Sequence, residues 1–205
     1  MEHFWDINFV LGLIQKKLIG FCGSYQILNL YICGSRLFGT YNTNSDTDFL
    51  AIIKSEQNLT GILVIEEGDV NVSVYDDYYF QQIVDENVVW LVHFIIFSKK
   101  NCLILKLRAV MCSFLPSKFI LLRNKEYHPK LRKRELLGVS KLDAFHTWSK
   151  ARRFCHKGEI LLSKKNILHS LRFLEFSLQF VRNLRVEDFF ATNHIWPEAS
   201  FYNFL

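Results

Sequence analysis

The chain has 205 residues, 50% of them hydrophobic and 19 of them phenylalanine, which is enough to build a real core in one domain or two small ones. No apolar run approaches the roughly 18 residues of a membrane span, and Glu2 and Asp6 stand where a secretory leader would be basic, so neither a membrane partner nor export is expected. The net charge of +5 is modest, and Cys22, Cys33, Cys102, Cys112 and Cys155 are widely spaced with no Cys-x-x-Cys pair. That pattern argues against a zinc cluster or disulfide framework, and an intracellular location, cytoplasmic or nuclear, is expected.

Apolar residues at helical spacing from Phe9 to Phe21 predict an opening helix, ended by Gly20 and Gly23-Ser24. The apolar segment 27–33 predicts a buried strand, so Gly34-Ser35 falls where a strand turns towards a helix. Glycine lets backbone come close to a ligand there, and the amides, the Ser35 hydroxyl and a helix start near Ser35 or Arg36 suit phosphate oxygens. Arg36 could add charge at the same spot.

A loop of Asn42, Thr43, Asn44 and Ser45 then leads to Asp46 and Asp48 and a strand over 48–53. In a strand, residues two apart share a face, so both carboxylates point the same way and repel unless a cation lies between them. Hard oxygen donors beside phosphate favour Mg²⁺ or Mn²⁺ over zinc, and metal-assisted transfer from a nucleoside triphosphate is the chemistry they suggest. The plainer alternative makes Gly34 and Gly39 ordinary turn residues and leaves Asp46 and Asp48 solvating a loop.

Further along, 56–60 reads as a turn, 61–66 as a strand and Asp69 to Tyr75 as another strand. In the last, Val70, Val72 and Val74 alternate against Asp69, Asn71, Ser73 and Tyr75. Asp76 and Asp77 read as a cap or turn before a helix from Tyr78 to Asp85. Val88 to Phe97 is apolar and either helical or extended, and its His93 reads as a hydrogen-bonded core or rim residue.

From about Leu103 the pattern becomes helical, broken by Pro116, Pro129 and Gly138, so two regions are expected, 1–100 and 101–205. Within 139–156, Leu142, Phe145, Trp148, Ala151, Arg152 and Cys155 recur at three- and four-residue steps, an amphipathic helix. In the next helix, 163–183, Lys165, His169 and Arg172 share one face that could meet nucleotide phosphates, or could simply be solvated with Arg172 paired to Glu175. Lys130, Arg132, Lys133 and Arg134, then Lys150, Arg152 and Arg153, concentrate positive charge that could meet polyphosphate or RNA, or line solvated helix faces. Pro197 ends the last helical element, and the tail Phe201, Tyr202, Phe204 and Leu205 is apolar.

Gly34-Ser35-Arg36-Leu37-Phe38-Gly39, then Ser45-Asp46-Thr47-Asp48-Phe49, resembles the active-site signature of the DNA polymerase beta-like nucleotidyltransferase superfamily. Gly39-Thr40 and Ser45 look most like its branch of predicted nucleotidyltransferases with Gly-Ser-x-x-x-Gly and Ser-Asp-x-Asp. Residues 27–97 resemble that branch well, although His93 stands where an acidic residue is expected; 139–183 resemble it weakly, through Lys-Lys-x-x-x-His-x-x-Arg. The resemblance implies an α/β (α+β) fold: a small mixed sheet with flanking helices, followed by a helical subdomain forming the other wall of a cleft. It also implies a third metal-binding carboxylate from a neighbouring strand, for which Asp69 is the candidate beside Asp46 and Asp48. If Asn71 takes that position, one charge is lost and no general base stands there.

The expected nucleotide-binding residues are Gly34, Ser35, Arg36, Gly39, Ser45, Lys165, His169 and Arg172. The expected reaction moves a nucleoside monophosphate from a nucleoside triphosphate to a hydroxyl of RNA, protein or a small molecule and releases pyrophosphate. The alternative is a nucleotide- or RNA-binding regulatory protein of the same fold that turns over weakly or not at all.

Overall fold

The computed structural model describes residues 6–21, 23–41, 43, 45–57, 59, 61–85, 115–127 and 133–195. The segment 88–97 with His93, the basic residues Lys130 and Arg132, and the tail beyond 195 lie outside them. Among the described residues no helix is long and apolar enough to cross a membrane. Two compact units are present: one holds the described residues through Gln82 together with Leu115–Tyr127, and the other holds Ile83–Asp85 and the residues from Lys133 onward.

The first unit is a mixed five-stranded sheet with flanking helices, the α/β class that the resemblance implies. Its elements are α1 (Ile7–Leu18), β1 (Tyr25–Ile32), α2 (Gly34–Leu37), β2 (Thr47–Ser55), β3 (Ile62–Glu67), β4 (Val70–Asp76), α3 (Asp77–Asp85) and β5 (Ile120–Arg123). The strand order is β3-β4-β2-β1-β5, with β2 and β4 parallel and the other neighbours antiparallel.

One face of the sheet carries the core. Val10, Leu13, Ile14 and Leu18, one stripe of α1, pack with Leu30, Phe49, Ala51, Ile53, Ile65, Val70, Val72 and Val74. Alternation fixes this: when Val70, Val72 and Val74 point to α1, Asn71 and Ser73 must point to the opposite face. Asp6 caps α1 by accepting from the Asn8 amide at 2.9 Å. Asp76 does the same for α3, accepting from the Tyr78 amide at 2.9 Å while it also accepts from the Ser55 hydroxyl at 2.6 Å.

β5 is a strand inside the span expected to be helical. Its four residues are too few for periodicity to register, and tertiary pairing with β1 decides the conformation. Asn29, fully buried on β1, holds the chain that leaves β5. Its Oδ1 accepts from the Asn124 and Lys125 amides, each at 3.0 Å, and its Nδ2 donates to the Lys125 carbonyl at 2.7 Å.

The second unit is an antiparallel hairpin of α4 (Lys133–His156) and α5 (Ile160–Asn183), turned at Gly158 with φ 76°. Its seam is made of small side chains. Ser163 donates to the Ala151 carbonyl at 2.9 Å, Ser170 donates to the Ala144 carbonyl at 2.8 Å, and Ser140 bonds Ser177. The serines of α5 recur every seven residues, so they stay on one face and let the two backbones come close.

This corrects the reading of α4. Ser140, Asp143, Ala144 and Ala151 are buried, whereas Leu142, Phe145 and Trp148 are 61%, 70% and 46% exposed. Periodicity finds the helix but not which of its two stripes packs. Beyond α5, Gln179 clamps the returning chain, accepting from the Glu187 and Asp188 amides at 3.0 Å, and Phe189 packs on Phe176.

Candidate active site

β1 and β2 are joined across the sheet where the Cys33 amide donates to the Asp48 carbonyl at 2.8 Å. Gly34 then turns the chain into α2 with φ 62°, in the left-handed region where a side chain is strained. A Cβ at Gly34 would lie 1.9 Å from Asp48 Oδ2 and 2.7 Å from its Cγ. The Asp48 carboxylate therefore occupies the space that any other residue at 34 would need.

α2 is a single turn, and its first amides have no partner one turn back within the helix. Its end is closed by Gly39, φ 64°, where the Gly39 amide donates to the Arg36 carbonyl at 3.2 Å and the Thr40 amide donates to the Ser35 carbonyl at 2.9 Å. Gly34, Ser35, Arg36 and Gly39 thus form one tight loop beside Asp48. Arg36 is engaged within it: its Nε donates to Thr47 Oγ1 at 2.7 Å and its guanidinium lies 5.1 Å from the Tyr41 ring centre. It ties the loop to the start of β2 and puts positive charge there.

Ser45 is half-buried and Asp46 is exposed just before β2. Thr47, between the two aspartates, is fully buried. The parallel pairing of β2 with β4 sets Asp48 opposite Asn71, with Asn71 Nδ2 3.5 Å from Asp48 Oδ1. Asp69 lies one step before β4, in the hairpin turn made with Gly68 (φ 60°), and is exposed. Its carbonyl accepts from the Thr47 amide at 2.7 Å. Continuing the register, Asp69 stands level with Asp46 and Asn71 level with Asp48. The amide therefore occupies the strand position next to the buried end of the acidic pair, while the carboxylate of Asp69 sits at the rim.

Asp46, Asp48, Asp69 and Asn71 offer oxygen donors without thiolate or imidazole, although among the described residues no three acidic, histidine or cysteine side chains are gathered closely enough to hold a metal ion. That chemistry fits Mg²⁺ or Mn²⁺ and not a soft metal. The cramped approach of Asp48 to Gly34 places a carboxylate directly against the loop that would hold phosphate.

In the helical unit, Lys165 is exposed and His169 is half-buried. Arg172 is buried at 2% exposure and its Nη2 donates to Asn193 Oδ1 at 3.0 Å, while burial pulls its pKa down to about 10. The shared face of the three residues therefore runs from solvent into the unit's interior. Glu175 accepts from Gln179 at 3.1 Å instead of pairing with Arg172.

Two polar clusters had no motif to mark them. Asp77 accepts from Lys125 Nζ at 2.6 Å and from the Tyr127 hydroxyl at 2.6 Å, tying α3 to the end of β5. Burial and Asp77 together push the Tyr127 phenol well above its ordinary value. Asp143 lies buried in α4, where desolvation raises its carboxyl to about 6. The sequence sign of the first is Asn29, a lone amide in the apolar run Ile27-Leu28-Asn29-Leu30, whose side chain bonds the Lys125 backbone.

No protein-family model matches this chain, and no curated protein matches it.

Proposed function

We propose that the sheet unit is the nucleotide-binding half of a metal-dependent nucleotidyltransferase, which moves a nucleoside monophosphate from a nucleoside triphosphate to an acceptor hydroxyl. The observation that carries this reading is the Asp48 carboxylate lying in the space of the missing Gly34 side chain, at the head of the Gly34–Gly39 loop. A loop whose amides suit an anion, held against carboxylates that suit a cation, fits a metal-bound polyphosphate.

In this reading the amides of Gly34 and Ser35 and the Ser35 hydroxyl bind the terminal phosphates. Arg36 steadies the loop through Thr47, and Gly39 and Ser45 let the chain return to β2. Asp46 and Asp48, with Asp69 alongside at the rim, would hold Mg²⁺ or Mn²⁺, and such a cation would supply neutralisation of charge on the phosphates. Asp69 is the carboxylate available to accept the proton of the attacking hydroxyl. Attack on the α-phosphate forms the new P–O bond and breaks the bond to the β-phosphate oxygen, and pyrophosphate leaves. Within the helical unit, Lys165 is the exposed member of the stripe Lys165, His169 and Arg172.

A second reading is supported by Asn71. An amide beside Asp48 cannot serve as a base, so a site of this kind could bind nucleotide and release it unchanged. The test is incubation with each α-labelled nucleoside triphosphate, Mg²⁺ or Mn²⁺, and pools of RNA or protein, beside an Asp46→Asn, Asp48→Asn double variant. Label transferred by the wild type alone supports transfer. Mg²⁺-dependent nucleotide binding without transfer supports the second reading, and no nucleotide binding at all removes both.

A further inference from the structure

The outward face of α4 carries a row that the packing of the hairpin does not use. Lys141, Phe145, Trp148, Arg152 and His156 follow one another at steps of four, three, four and four, so they line one side of the helix over roughly 22 Å. All five are exposed and lie about a quarter turn round the helix from the Ser140, Ala144 and Ala151 seam. The only acidic residue between Lys141 and His156 is Asp143, which is buried on the other side.

Two observations on this row point to one chemistry. Exposed aromatic faces flanked by cations match the stacking and backbone-neutralising contacts that hold single strands of nucleic acid. The absence of acid on the row gives charge complementarity to phosphate, whereas a second copy of the same basic row would meet its own charge. A duplex hides its base faces in its own stack, so the partner must present unpaired bases, as RNA loops and ends do.

We propose that this face of α4 binds single-stranded RNA, with Phe145 and Trp148 stacking on bases and Lys141 and Arg152 on phosphates. This deepens the transfer reading by naming RNA as the acceptor class; binding itself is independent of the Asp46 and Asp48 site.

The experiment is fluorescence anisotropy of a labelled single-stranded RNA, with the matching DNA strand and an RNA duplex as comparison, titrated with the full chain over a range of salt. The expected result is preference for the single-stranded RNA, and a log–log salt slope near −1.4 for two phosphate contacts at about −0.7 each. Phe145→Ala with Trp148→Ala weakens binding by on the order of a hundredfold with the slope kept. Lys141→Gln with Arg152→Gln flattens the slope.

Unchanged affinity in the aromatic double variant overturns the proposal, as does equal affinity for duplex RNA. So does a dimer in sedimentation equilibrium that Trp148→Ala dissolves, because the face then belongs to a second copy. The Asp46→Asn, Asp48→Asn variant separates the two ideas. If it binds RNA while the wild type transfers nothing, the RNA surface stands and the transfer reading falls; if the wild type transfers label but RNA binding ignores the aromatic pair, the reverse holds.

Discussion

The sheet unit closes its core with bulky side chains, whereas the helical unit, which also buries Leu168, Phe176, Phe180 and Phe189, closes the seam between its two helices with small ones. In the sheet unit the interior is what hydropathy dictates, with Val70, Val72 and Val74 on β4 meeting Leu13, Ile14 and Leu18 on α1. In the helical hairpin the interior seam is Ser140, Ala144 and Ala151 against Ser163, Ser170 and Ser177, and the aromatic residues of α4 face out. A sheet face is wide and must be covered by bulk, whereas two helices gain most by close approach when the residues between them are small. Burial is then a matter of shape as much as of hydropathy.

The contrast breaks first at Gly34. Gly34→Ala puts a methyl on an Asp48 oxygen in a backbone conformation that alanine resists. Nucleotide-dependent activity is expected to fall at least about a thousandfold, close to 4 kcal/mol in the barrier, with the circular dichroism spectrum kept. Wild-type nucleotide affinity in the Gly34→Ala protein would sink the account of the loop.

The hairpin gives the next largest effect. Ala144→Leu drives a bulky side chain into the seam where Ser170 donates to the Ala144 carbonyl, and is expected to cost about 2–3 kcal/mol. Phe145→Ser, one position along on the outer face, is expected to change stability by less than about 0.5 kcal/mol. Urea denaturation of the two variants side by side reads the difference. A greater loss for Phe145→Ser would mean that the seam has been assigned to the wrong stripe.

What could be read from the chain follows the same division. The strands around the Gly-Ser loop and the Asp-x-Asp pair were legible because alternation, glycine chemistry and paired acids each report on local geometry. β4 was legible as a strand, but whether Asp69 or Asn71 sits beside Asp48 depends on inter-strand register, which no single strand encodes. β5 was illegible, since four residues at 120–123 become a strand only by pairing with β1. On α4 the helix was legible but its packing face was not, because Ala151 of the expected stripe is buried while Leu142, Phe145 and Trp148 are exposed and the small residues form the better-fitting seam. Arg172 went the same way: its spacing was right, yet its partner Asn193 lies in a stretch with no pattern of its own.

Register also sharpens the site. Asn71→Asp restores a carboxylate level with Asp48, and if the amide limits turnover the variant should transfer nucleotide ten to a hundred times faster at saturating Mg²⁺. A slower variant would mean that added negative charge outweighs the added base, and that Asp69 already supplies it.

The smallest effect tests the polar interior of the hairpin. Asp143 has its carboxyl raised from an ordinary 3.8 to about 6 by burial, so the folded state prefers the neutral acid. Below pH 3.8 the group is neutral in both states and its contribution is fully present; stability is then lost as pH rises through about 6, where the buried group must ionise. Asp143→Asn keeps the shape and removes the titration. The variant should match the wild type near pH 4 and exceed it at pH 8 by about 1–2 kcal/mol, less than the full shift implies because a buried group relaxes and admits water. The readout is the urea midpoint of both proteins at each pH. An equal gap at pH 4 and pH 8 would place the effect in packing instead of charge, and would make the α4–α5 seam as indifferent to pH as the valine face of the sheet.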